Sequence, residues 1–441
     1  MTVLLRLVLV LFVGLSALAP AAFARDPVEV RSPGGIVAWF VRDPSLPILA
    51  IEFAWRGGSA ADPDGKGGLA AMTADLLTSG AGDLDLQAFA RELEDRSISL
   101  SFSAGADTLQ GGLRLLSREA ARGADLLALA LTRPRFDARE VERVRAQILQ
   151  GLARDETTPE TLARRAFARA AFGEHPYARP ARGTPDSVRG LTVEDMRAHL
   201  ARRYARDNLV VAAVGDVTPE ELGRLLDRAF GALPARAAPV DLARVQPPAA
   251  GRTIVIRRPA PQTFALFGHQ GVARDDPDFF AAQLVNYVLG GGGFNSRLMA
   301  RVREREGLTY GIGTGLGVLD RAEVIQGSFS SVNDRIARAM DIVREEWAAM
   351  GARGLTSAEL QGAKDYLNGS FPLQFDRSDR IARLLVNARL DGRGLDWFAE
   401  RQRRIDAVTL EQANALARRL FDPAKLTVVL AGEPQGIAAG E

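Results

Sequence analysis

Residues 191–216 read LTVEDMRAHLARRYARDNLVVAAVGD, and residues 408–433 read VTLEQANALARRLFDPAKLTVVLAGE. The two align without a gap at a constant shift of 217 residues. Thr192 falls on Thr409, Glu194 on Glu411, Ala198 on Ala415, Arg202 on Arg419, Tyr204 on Phe421 and Gly215 on Gly432. Each copy opens with a Thr placed to cap a helix, because its hydroxyl can accept from a free N–H of the first turn. An acidic residue follows in that turn, where the helix dipole favours it. Asp207-Asn208 and Asp422-Pro423 end the helices. Leu209–Val214 and Leu426–Ala431 are then mostly apolar, β-favouring runs closed by Gly, the pattern of a buried strand. Solenoid repeats run to roughly 20–50 residues, so a unit this long reads as a duplicated domain.

Further paired parts lie outside these segments. Ile48–Trp55 precedes a Gly-rich turn and an Ala/Leu helix. In the second half Thr263–Phe267 is followed by Phe279–Leu289, by Gly290–Gly293 and by another helix. Pro234 to Gly251 is rich in Ala and Pro, the composition of a linker. The expected organisation is a leader over 1–24, a first domain over 25–234, a linker over 235–250 and a second domain over 251–441. Strands and amphipathic helices mix without regular βαβ alternation, which favours α+β over a doubly wound sheet.

Composition narrows the function classes. A chain of 441 residues with 47% hydrophobic and 25% charged residues is an ordinary globular protein with material for sizeable cores. Its net charge of +2 comes from 56 basic and 54 acidic residues, and no basic cluster argues for nucleic acid. Cysteine is absent, which excludes disulfides, thiolate metal sites and Cys nucleophiles. Only three histidines occur, His175, His199 and His269. At the start, Arg6, the apolar run Leu7–Leu18, Pro20 and Ala22-Phe23-Ala24 form the pattern of a secretory signal. The run falls short of the ~20 residues of a comfortable membrane span, although an uncleaved anchor is the alternative. The mature protein is expected to be periplasmic or secreted, with no stable membrane span after cleavage.

Two Gly-rich turns invite chemistry. Asp62-Pro63-Asp64-Gly65-Lys66-Gly67-Gly68 leads into the helix Leu69–Leu77, and it is not a P-loop, because Lys66 is followed by Gly. Gly290–Gly293 leads through Phe294-Asn295-Ser296-Arg297 into a helix whose Leu298 and Val302, four apart, face a core. Gly307 is placed to stop that helix, which puts Arg303 in its last turn and Tyr310 on the segment that leaves it. An Arg fork grips carbonyls or carboxylates, and a Tyr hydroxyl can donate to an oxyanion. A dipole-offsetting Arg and a packing Tyr are the plainer alternative.

The stretch GGGFNSRLMARVREREGLTY (291–310) resembles the second-domain signature of insulinase/pitrilysin-type peptidases, a family that includes mitochondrial processing peptidase and small bacterial relatives. DPDGKGGLAAMTADLLTSGAG (62–82) and GEHPYARPARGT (173–184) resemble its first domain, so the likeness spans almost the whole mature chain. It implies duplicated domains, each a mixed, mostly antiparallel sheet covered by helices. It also implies that Arg303 and Tyr310 hold substrate and stabilise the transition state, with Gly291, Gly292, Gly293 and Asn295 binding substrate. The family's inverted zinc motif His-x-x-Glu-His falls on Ala71, Ala74 and Asp75, and its distal Glu falls near Gln150 or Gly151. None of these restores a zinc site. The histidines cannot substitute, since no two have helix spacing. His175 is placed in a loop, His199 on a helix face towards solvent or a partner, and His269 at a strand end.

The resemblance therefore implies no cofactor in this chain and zinc in a partner subunit. The expected function is the non-metal subunit of an exported heterodimeric zinc peptidase, acting on peptides or unfolded segments. A non-catalytic scaffold and a peptide-binding protein of the same fold are the alternatives.

Overall fold

The computed structural model describes residues 26–438, so the leader segment lies outside the described residues. Its strands form two sheets. The first has the order β1-β2-β6-β3-β5-β4, from β1 (Val28–Arg31), β2 (Val37–Arg42), β3 (Ile48–Arg56), β4 (Ser99–Ala104), β5 (Thr108–Leu116) and β6 (Leu209–Gly215). The second has the order β7-β11-β8-β10-β9, from β7 (Thr253–Arg257), β8 (Gln262–Gln270), β9 (Ile312–Val318), β10 (Glu323–Val332) and β11 (Thr427–Gly432). Each sheet contains a single parallel pair, β2 with β6 and β7 with β11, and every other pairing is antiparallel. The strand order of the second sheet matches that of β2-β6-β3-β5-β4 position by position. The fold is α+β, two mixed sheets covered by helices.

The repeated segments occupy matching places. Thr192 and Thr409 cap their helices by accepting from Asp195 N and Gln412 N at 3.2 and 3.1 Å. Tyr204 and Phe421 end those helices with nearly equal backbone angles, φ −93 and −94. Gly215 and Gly432 close the following strands at φ +152 and +144. A Cβ at Gly215 would lie 2.2 Å from Ile48 O, and one at Gly432 would lie 2.7 Å from Thr263 Cα. Glycine is required at both strand ends by the approach of the neighbouring strand.

Four helices of the first half matter for function: α1 (Leu69–Leu76), α2 (Ala138–Asp155), α3 (Pro159–Phe172) and α4 (Val193–Arg203). The main core of this half gathers α1, α2 and α4 on the sheet face that carries Phe40, Phe53, Trp55 and Val211. The opposite face, with Trp39, Ala54, Ala212 and Val214, is covered by the helix Ser378–Leu390 of the second half. Alternation along each strand sends neighbouring residues to these two faces.

In the second half, α5 (Phe279–Asn286), α6 (Ile336–Arg353) and α8 (Leu410–Leu420) cover one face of the sheet, and α7 (Ser378–Leu390) crosses to the first sheet. Reciprocally, α3 lays Ala163, Phe167 and Ala171 on Leu266, Val429 and Ala431 of the second sheet. Polar contacts fix both crossings. Arg383 on α7 reaches the buried Glu52 of β3 at 3.1 Å, and Arg389 donates to Val37 O and Val211 O at 2.9 and 3.0 Å. The β4–β5 and β9–β10 hairpin tips also meet: Asp107 accepts from Tyr177 Oη at 2.5 Å and from Asp320 N at 2.9 Å. Residues 234–250 carry no helix or strand and run mostly exposed over the surface. Among the described residues no helix is long and apolar enough to cross a membrane.

Candidate functional site

The positions aligned with the zinc motif lie on α1. Its start is set by the turn before it, where Gly65 and Gly68 are left-handed at φ +75 and +91. The buried Asp62 carboxylate accepts from Gly68 N and Ala70 N, both at 3.0 Å, and so caps the helix. Burial raises the Asp62 pKa to about 7, although the backbone N–H groups of Ala70 and Gly68 favour the charged form. Ala71 and Ala74 are buried and offer only methyl groups. Asp75 is exposed, and Arg182 stands 3.8 Å from its carboxylate.

Arg182 is brought there by a loop clasped to the glycine turn. Ser187 Oγ donates to Gly67 O at 2.8 Å, Arg179 pairs with Asp64 at 2.6 Å, and Lys66 pairs with Asp195 at 2.6 Å. On α2, Gln150 is exposed, and a Cβ added at Gly151 would meet nothing within 4 Å. The helices that would carry the motif are present, but its ligand positions hold the methyl of Ala71, the Asp75 carboxylate facing a guanidinium, and Gln150 or Gly151, and its water-activating position holds the methyl of Ala74. That donor set does not fit zinc. Among the described residues no three His, Cys, Asp or Glu converge to hold a metal.

The second set sits beside the second sheet. The helix expected after the glycine turn is present, and Leu298 and Val302 are fully buried as their spacing requires. Its winding differs from expectation: Met299–Arg305 is π-helical, and so is Tyr287–Gly291 before the turn. Gly292 N donates to Tyr287 O at 2.8 Å and Glu306 N to Arg301 O at 3.3 Å, both five residues back. Gly307, left-handed at φ +60, ends the helix as expected.

The predicted substrate-binding residues form the turn between the two π segments. Gly291 is exposed, Gly292 lies under the Tyr287 ring, and Gly293 is left-handed at φ +57. Asn295 bonds the Tyr287 hydroxyl. Arg303 lies over the ring of Phe294, with its guanidinium carbon 4.6 Å from the ring centroid. The Arg303 guanidinium has no carboxylate partner among the described residues. Tyr310 is 87% exposed just before β9. Its backbone is pinned on both sides, because Thr309 Oγ1 donates to Ser330 O at 2.8 Å and accepts from Gly311 N at 3.2 Å.

The histidines are packing residues. His175 precedes a short turn and accepts from Tyr177 N at 3.2 Å. His269, near the end of β8, accepts from Trp347 Nε1 at 2.9 Å, and its Nδ1 contacts Gln270 O at 2.7 Å. His199 corrects an expectation: it does not face solvent or a partner. It lies between Met196 and Leu200 on the inner stripe of α4, is buried, and stacks edge-on against Tyr204. Burial lowers its pKa to about 4. Sequence reasoning missed three neighbours of the site: Asp62, Arg182 and Phe294. An aromatic residue directly after a glycine run was the one available signal for Phe294.

The description peptidase M16 inactive domain matches residues 190–367, a span that contains Arg303 and Tyr310. The Helicobacter pylori protein called non-peptidase homolog YmxG is 28% identical over 330 residues, 75% of this chain and 76% of that one. The Mycobacterium tuberculosis protein called uncharacterized zinc protease Rv2782c is 31% identical over 309 residues, 67% of this chain and 68% of its own length. The crystal structure of peptidase M16 inactive domain from Pseudomonas fluorescens superposes with a TM-score of 0.88 at 27% identity, over 94% of this chain and 100% of that one. On its identity to these relatives and its likeness to that structure, this chain belongs to the peptidase M16 family.

Proposed function

We propose that this chain is the zinc-less subunit of an exported heterodimeric peptidase. It pairs with a zinc-bearing chain of the same family and supplies Arg303 and Tyr310 to that partner's site for cleavage of peptides or unfolded segments. The observation that carries this reading is an asymmetry. The zinc-motif positions carry Ala71, Ala74, Asp75 and Gln150 or Gly151, while Tyr310 stands 87% exposed and Arg303 has no carboxylate partner among the described residues. A phenol held out in water by a pinned backbone is placed to meet something outside the chain.

In the closed pair, zinc in the partner supplies the activated water. From this chain, the Arg303 fork orients substrate carbonyls, and the Tyr310 hydroxyl donates to the oxygen on which negative charge grows. Gly291, Gly292 and Gly293 let a peptide backbone approach closely, and Asn295 offers an amide beside it. Residues 1–24 act as a cleaved export signal, which places the protein in the periplasm or outside the cell.

Purification from the native host under gentle conditions tests the pairing. The expected result is co-purification of a His-x-x-Glu-His chain of similar length, with zinc in the complex and none retained by this chain after separation and dialysis. About one zinc retained per isolated chain contradicts the proposal.

A further inference from the structure

Several arginines around the glycine turn are committed to carboxylates. Arg297 forms a two-pronged pair with Glu359 at 2.7 Å, and Arg301 reaches Glu345 and Glu346 at 2.9 Å. Arg338 pairs with Glu306 at 2.8 Å. Arg303 is instead held through its flat face, on Phe294. The difference matters chemically. A carboxylate occupies the N–H donors at the edge of the guanidinium, whereas a ring under its face leaves all five free.

The ring itself is held in a defined place. Phe294 is 59% exposed, so no core packing fixes it. The turn beneath it does. Gly293 takes the left-handed conformation, and its carbonyl accepts from Ser296 Oγ at 2.7 Å and from Ser296 N at 3.0 Å. Asn295 N donates to Gly292 O at 3.2 Å, and the Asn295 side chain bonds Tyr287. Ser296 is itself buried. The two π-wound segments flank this turn, so the backbone positions from which the ring and the guanidinium project are held by bonded structure on both sides.

We infer that Phe294 is the positioning residue of Arg303: its ring fixes the guanidinium in one orientation while keeping the edge donors open for a peptide substrate. The contact stands on geometry alone, and its consequence for substrate rests on the shared-site reading above. A stacked but unpaired Arg grips peptide carbonyls without first breaking an ion pair. Phe294 therefore acts on substrate affinity, through Arg303 and not by touching the reacting atoms.

Two measurements test this. The first uses the isolated chain and needs no partner. The Arg303 Nε–H resonance, assigned by its loss in Arg303→Lys, is expected to carry an upfield ring-current shift that disappears in Phe294→Leu. An Nε–H resonance that does not move in Phe294→Leu overturns the inference.

The second uses the reconstituted heterodimer and a fluorogenic peptide. Phe294→Leu is expected to raise KM about 2- to 5-fold with kcat nearly unchanged, the range of an exposed cation–π contact. Phe294→Tyr, which keeps the ring face, is expected to behave as wild type. In an Arg303→Ala background, Phe294→Leu is expected to add nothing. An equal loss in both backgrounds overturns the inference and leaves the shared site standing. Unchanged kinetics in Arg303→Ala overturn the shared site, and the inference with it.

Discussion

Arg301 and Arg303 are two positions apart in one helical segment and have opposite fates. The motif resemblance singled out Arg303 and Tyr310 and left Arg301 and Arg305 outside the site. What the sequence could not tell was that Arg301 anchors Glu346, a buried carboxylate, at 2.9 Å. Arg301→Ala is therefore expected to lower stability by about 1–3 kcal/mol, because it strands that carboxylate. Denaturant unfolding checks this. Arg305→Ala, with no ion pair to lose among the described residues, is expected to unfold as wild type.

The histidines carry a similar lesson. His199 is expected to face solvent or a partner, yet its place between Met196 and Leu200 on the helix turns it inward. For His269, burial is the main cause that lowers the pKa to about 4 from 6.5, outweighing the Gln270 carbonyl. The neutral ring accepts from Trp347 at Nε2, so added protons oppose that bond. A lowered folded pKa stabilises fully above the unfolded value and is lost as pH falls. The contribution of His269 is expected to vanish between about pH 6.5 and 4. The measured His269 pKa, followed by NMR, is expected near the lower end. A value above 6 contradicts the packing described here.

At the scale of elements, caps and strands were legible and winding was not. Thr192 and Thr409 could be named as caps because a Thr before an acidic turn has few other uses. The π winding at Met299–Arg305 had no such signal, since Leu298 and Val302 point inward under either winding. Helix α1 also depends on a residue outside its repeat pattern, Asp62. Its folded pKa of about 7 lies above the unfolded 3.8, because burial outweighs its bonds to backbone N–H groups. A raised folded pKa contributes stability below the unfolded value and loses it as pH rises. Asp62→Asn is expected to remove a decline in stability between about pH 4 and 7, read as the wild-type-minus-variant difference in urea unfolding. A difference that is flat across this range contradicts the burial of Asp62.

At the scale of the molecule, the 217-residue shift pointed to matching segments on the two sheets, but the exchange of helices could not be seen. The apolar stripe of α3, with Ala163, Phe167 and Ala171, announces a buried face without naming the sheet it will cover. That exchange changes what a cut linker should do. Limited proteolysis is expected to cut first within residues 235–250 and give two fragments of roughly 20–25 kDa, the size of ~200-residue halves. Because α3 sits on the second sheet and α7 on the first, the fragments are expected to co-elute in gel filtration. Early cleavage inside β6 or β11 contradicts the burial of those strands.

The same two-sheet body carries the altered motif on α1 in one half and Arg303 with Tyr310 in the other. The proposal that it is one member of a peptidase pair therefore reduces to whether Tyr310 acts on a partner's site. The direct measurement is steady-state cleavage of a fluorogenic peptide by heterodimers carrying Tyr310→Phe, with assembly checked by gel filtration. Loss of one oxyanion donor typically costs about 10²–10³-fold in turnover, so kcat is expected to fall by that factor while assembly and KM hold. Full turnover in Tyr310→Phe heterodimers makes this chain a scaffold and contradicts the shared site.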